Sequence, residues 1–223
     1  MCYNKSSSIL AYSVGIISAI ILYNYGDNYD KHFAFFAFVY IHIQLAEYFM
    51  WHDYDCSKNI NHYATIIGRT ILVIQPISLI LGAIIFNTTI LSKKTLYALL
   101  TIYSIIVIIF GVLVVVKNNN NDLLCSQKIK DKIYLKWDSL NIKDNIYLFI
   151  QYLLKLLYYI IVFGIFLLFK NTYKGLLIFS LVTITIIVSL LMSYKNEISD
   201  LGSLWCFNSV IIPALLLLNN YLS

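Results

Sequence analysis

The chain has 223 residues, 60% of them hydrophobic and only 12% charged, where a soluble domain carries roughly 25% charged residues. Its apolar residues come in long blocks rather than in alternation, which excludes a water-soluble globular domain and implies a polytopic membrane protein. The formal net charge of +5 gathers in one Lys-rich loop and reads as a topological signal, since nucleic-acid binding would need a basic face with stacking aromatics.

A bilayer core is crossed by about 20 mostly apolar residues in a helix. Seven stretches qualify, at 9–25, 33–51, 64–86, 96–116, 146–169, 175–193 and 201–222. They are too long for barrel strands and lack period-two alternation. The expected fold is all-α: one seven-helix transmembrane domain over residues 1–223.

The first stretch follows Lys5, as the core of a signal peptide would. "LYNYGDN" after it holds no small-residue cleavage site, so it reads as a spanning helix. In the second, Tyr40, Gln44, Glu47 and Trp51 are spaced by four, three and four and share one helical face. An ionised side chain at the centre of a span costs about 2.5–3.5 kcal/mol, so Glu47 is expected to face protein or water.

The third stretch holds Arg69, the only arginine among sixteen basic residues. It lies a similar number of residues past the start of its helix as Glu47 lies before the end of the preceding one. The two are therefore expected at one depth, as a pair. Gln75 and Pro76 follow near the middle of this helix. The fourth stretch is uniformly apolar and serves as a linker. The loop after it, "KNNNNDLLCSQKIKDKIYLKWDSLNIKD", opens as a low-complexity Asn run. In it Ile129, Ile133, Trp137 and Leu140 recur near helical spacing, as in an amphipathic helix on anionic lipid or a merely solvated loop.

The fifth stretch carries Gln151 and Lys155, and the seventh carries Trp205, Asn208 and Pro213. Gln44, Glu47, Arg69, Gln75, Lys155, Trp205 and Asn208 thus converge on one half of the bundle. They suggest a polar pocket open to the N-terminal side, or else interhelical hydrogen bonds that hold the bundle together. The two prolines release the carbonyls of Leu72 and Ser209. Interrupted helices in two halves, one to three and five to seven, resemble the sugar-transporter and PQ-loop architecture. That family's Pro-Gln pairs sit in other helices, whereas this chain has "QP" in the third.

Seven spans put the termini on opposite sides. Lysines number nine on the N-terminal side and five on the other, which favours a cytoplasmic N-terminus, but without the long loop the count is three against five. Cys2, Cys56, Cys125 and Cys206 all lie on the N-terminal side, where a cytosolic setting keeps them reduced. An outward setting would let Cys56 and Cys206 pair. The sequons at Asn4 and Asn87 fall on opposite sides, so at most one can be glycosylated.

His32, His42, His52 and His62 recur every ten residues, but that spacing turns successive histidines off a common helical face, and no metal site is expected. No cofactor is expected either. The last helix lacks a Schiff-base lysine and the histidines of ceramidase-like hydrolases, and no G-x-S-x-G or H-E-x-x-H motif appears. An enzyme reading would rest on Glu47 with His42 alone.

"IQLAEYFMW", "QP" in the third helix and "GSLWCF" opening the seventh together resemble an uncharacterised family of seven-helix proteins from giant DNA viruses and single-celled algae. The resemblance implies architecture and a viral-membrane context, and Gln44, Glu47, Trp51, Gln75, Pro76, Trp205 and Cys206 match its pattern. The expected partners are the lipid bilayer and a small polar or anionic solute, in a transporter or ligand-sensing bundle. The alternatives are a structural or interaction protein of a viral or organelle membrane, and an intramembrane lipid-modifying enzyme. Nothing in the sequence specifies an oligomeric state.

Overall fold

A computed structural model describes residues 4–117, 123–128, 135–137, 144–196, 205 and 207–222. The fold is an all-α bundle. Its long helices are α1 (Lys5–Tyr25), α2 (Asn28–His52), α3 (Ile60–Phe86), α4 (Lys93–Lys117), α5 (Asn145–Leu167) and α6 (Thr172–Asn196), followed by the shorter α7 (Ile212–Leu222). Among the described residues, six helices are long and apolar enough to cross a membrane.

Most helices begin before the apolar blocks, because their first turns are polar and held by caps. Asn4 accepts from the Ser7 N–H at 2.8 Å while Ser7 Oγ accepts from the Asn4 N–H at 3.1 Å, a reciprocal capping box. Asp27 and Asp30 do the same for α2. Asp144 caps α5 through the N–H groups of Ile146 and Tyr147. Asn59 and Asn87, at the two ends of α3, take left-handed φ of 57° and 52°, which Asn tolerates better than most residues.

The innermost helix is α2. Its Phe33, Phe36, Ile41, Ile43 and Met50 are fully buried, and it packs between α1 and α3 with α7 alongside. By contrast α4 presents most of its surface outward, with Ile102, Ile105, Ile108 and Val112 exposed, as a lipid-facing helix does. It also packs on α3 and α5.

Pro76 sits inside α3. One residue past the expected free carbonyl of Leu72, Val73 O accepts from Tyr103 Oη of α4 at 3.1 Å. The last element departs from expectation. The stretch 201–222 is not one continuous helix: residues 207–209 are helical, 210 and 211 form a turn, and α7 restarts at Ile212. Pro213 therefore lies in the first turn of α7, where a missing N–H costs little. The Ser209 carbonyl that it leaves free accepts from Tyr40 Oη at 3.0 Å.

The long loop departs too. Gln127–Lys128 pairs antiparallel with Leu135–Lys136, so the chain is extended at 135–136, against the amphipathic helix that was one of the two readings of this loop. Ile129, Ile133, Leu140 and the Asn run from 118 lie outside the described residues. The expectation of reduced cysteines, and the pairing of Cys56 with Cys206 that an outward setting would allow, are both corrected for Cys56: it is bonded to Cys125, with Cα atoms 5.9 Å apart. Cys2 and Cys206 lie outside the described residues.

Candidate functional site

Gln44 and Glu47 point into the bundle from α2; Gln44 is fully buried and Glu47 is 1% exposed. A third group reaches them from outside the helices. Trp137, in the long loop, is itself buried, and its Nε1–H donates to Glu47 Oε1 at 3.2 Å. The indole fits because residue 68 of α3 is glycine: a Cβ there would stand 2.7 Å from Trp137 Cη2 and 3.2 Å from Met50 Cε. Arg69 follows directly. It is half-buried and lies within electrostatic reach of the Tyr147 hydroxyl at the start of α5.

The loop is fastened where it meets the corner between α2 and α3. Asn61 acts as a surrogate strand: its Oδ1 accepts from the Ser126 N–H at 2.7 Å, and its Nδ2 donates to Ser126 O at 2.8 Å and to Met50 O at 3.1 Å. Thr65 Oγ1 bonds Ser126 Oγ at 2.8 Å, and the Leu124 N–H donates to His62 Nδ1 at 2.9 Å. The Cys56–Cys125 bond lies in the same cluster.

Asp53 closes the corner, accepting from the Lys58 and Asn61 N–H groups at 3.1 Å each. Burial works to raise its pKa, but the N–H groups of Asn61, Lys58, Ile60 and Ser57 outweigh it and hold the carboxyl below its ordinary 3.8.

A second polar group runs deeper. Gln75 is fully buried and its Oε1 accepts from the Tyr158 hydroxyl of α5. The Tyr158 ring meets Trp205 edge-on at 6.1 Å, and Trp205 Nε1 donates to Thr185 Oγ1 at 3.1 Å. Asn208 Nδ2 donates to Ser189 Oγ at 2.8 Å. These bonds link α3, α5, α6 and the segment before α7. Lys155 joins neither group. It is exposed on α5, with Nζ 5.6 Å from the centre of the Tyr152 ring, and so departs from the expected pocket.

At the opposite end of the bundle lies an ion pair that the sequence reading missed. Lys174 Nζ donates to both Asp30 oxygens, at 3.0 and 2.9 Å, and to Asn220 Oδ1 at 2.7 Å, while Asn220 Nδ2 donates to Asp30 Oδ2 at 2.8 Å. This joins the starts of α2 and α6 to the end of α7. In the sequence these residues look like ordinary flanking charges, because they stand at the edges of apolar blocks. Trp137 was visible only as one position of a supposed surface helix, and the available clue was Gly68 beside the lone arginine.

The four histidines go separate ways. His32 is buried, bonding Thr88 Oγ1 at 2.7 Å and Leu79 O at 2.8 Å, and His42 bonds the Phe38 carbonyl of its own helix. His52 ends α2, and His62 receives the loop. No family model matches the chain, and no curated protein and no solved structure is similar to it.

Proposed function

We propose that this protein handles a small polar or anionic solute in a membrane, as a transporter or a ligand-sensing bundle. Its site would be formed by Gln44, Glu47, Arg69 and Gln75 on the N-terminal side. The observation that supports this most is Glu47, an acid in the body of a spanning helix whose carboxylate meets an indole from a loop rather than lipid. Intramembrane acids of this kind are costly and tend to mark solute or proton paths. In this reading Glu47 and Arg69 neutralise one another while the site is empty, and Trp137 covers it.

The chain would cross the membrane seven times. Trp205 bonds Thr185 of α6, and Asn220 reaches its first turn at Lys174, so the last segment runs back along α6 for about 16 Å. The Cys56–Cys125 bond supports an N-terminal face in an oxidising compartment, against the direction of the lysine count. A viral or host membrane is the proposed location.

A second reading is a structural or interaction protein. The fastened loop and the Trp137–Glu47 bond favour it, because together they cover the acid and tie loop to bundle. Glu47→Gln in proteoliposomes separates the two. A solute-handling protein changes its uptake or binding of monocarboxylates, amino acids or inorganic phosphate at wild-type abundance. A structural protein loses thermal stability, and the same panel of solutes gives identical readings with and without the substitution.

A further inference from the structure

Lys155 stands ten residues after the start of α5 and twelve before its end. At about 1.5 Å per residue that is about 15 and 18 Å from the two ends, close to the middle of a bilayer core. A lysine stem of four methylenes spans only about 6 Å, too short to bring the ammonium to either headgroup layer. The residue nevertheless points away from the bundle. Tyr152 and Tyr159, 66% and 45% exposed, share its face with Phe149 and Leu156. Among the described residues Lys155 makes no ion pair, and the Tyr152 ring is its cation–π partner.

We propose that this face of α5 docks a transmembrane helix of another protein, one that carries a carboxylate at mid-span opposite Lys155. A charge in the hydrocarbon core is kept by pairing. Acyl chains offer it nothing, and anionic headgroups lie beyond its reach.

A second copy of this chain fits poorly. A two-fold contact through α5 would set Lys155 near Lys155. An offset contact would need an outward mid-span acid, but the described helices hold only two acidic residues, Asp30 and Glu47. Both are buried, Asp30 against Lys174 and Glu47 under Trp137. No described helix supplies the complementary charge, which we assign to a different chain. Tyr152 and Tyr159 stand about one turn before and after Lys155, and their hydroxyls would offer donors to the same acid.

The test places the labelled full chain in phosphatidylcholine vesicles with synthetic polyleucine transmembrane peptides bearing Glu, Gln or Leu at the centre, and reads association by energy transfer. The Glu peptide is expected to associate about tenfold more tightly than the Leu peptide. Lys155→Met abolishes that preference while its thermal unfolding in detergent stays at or above wild type. Lys155→Glu transfers the preference to a peptide with a central Lys. Equal association of the wild-type chain with the Glu and Leu peptides overturns the proposal. So does self-association without peptide that depends on Lys155, which would assign the face to a second copy.

Discussion

Trp137 and Glu47, 90 residues apart in sequence, are joined by a 3.2 Å hydrogen bond from indole to carboxylate. Trp137→Phe keeps a ring in the notch beside Gly68 but removes the donor. The loss is expected to be about 1.5–3 kcal/mol, the range for hydrogen bonds to charged groups. Trp137→Ala also empties the notch and costs about 3–5 kcal/mol. Denaturant unfolding in detergent, compared across the two variants, separates the bond from the packing. A Trp137→Phe protein as stable as the wild type would mean that the indole N–H contributes little; equal loss in both would mean that filling the notch does.

The ion pair at the other end should behave differently from an exposed one. Lys174→Met leaves the Asp30 carboxylate buried without its cation and is expected to cost about 3–5 kcal/mol. Adding Asp30→Asn removes the stranded charge and restores much of that loss. A double-mutant cycle reads the coupling; additive losses would show that the two groups act independently.

Cys56→Ser frees Cys125. In denaturing detergent, a maleimide mass tag should label one more thiol than in the wild-type chain, and reduction of the wild type should expose two. Disulfides typically stabilise by about 2–4 kcal/mol, and the chain-entropy model puts a loop of 69 residues a little above that range, at about 4.4 kcal/mol. Wild-type protein that labels at all four cysteines without reductant would count against the bond.

Asp53 makes stability depend on pH. Its folded pKa lies below the ordinary 3.8, so its contribution is complete above that value and is lost as pH falls through the folded one. Asp53→Asn is expected to cost about 1–2 kcal/mol at neutral pH and to flatten the acid limb below about pH 4. Thermal midpoints of both proteins between pH 3 and 7 provide the measurement; parallel curves would remove Asp53 from the acid limb.

The bundle was legible because apolar length alone announces a spanning helix. Helix starts were read late because caps such as Asp27 and Asp144 are polar and lie outside any hydropathy signal. The burial of Gln44, Glu47, Gln75 and Trp205 followed from the cost of polar groups in lipid. Their partners did not: Trp137, which meets Glu47, comes from a loop far along the chain, as does Ser126, which Asn61 holds, and no local period records either contact. Lys155 failed for a related reason, since a residue's depth can be counted from a helix end but its direction depends on which neighbours pack there. Asp30 and Lys174 were hidden by position, since flanking charges are ordinary at a membrane surface and only the fold reveals that these two are buried.

Asn61 grips main-chain atoms of residue 126, its carbonyl and its amide, rather than anything a particular side chain supplies. Mutational drift is therefore lopsided across this contact. Cys125, the buried Leu124 and the Ser126 hydroxyl aside, the fastened strand is free to vary in composition while its anchor holds. The anchor has no such freedom, because even glutamine, one methylene longer, would push the amide out of register with both backbone groups at once.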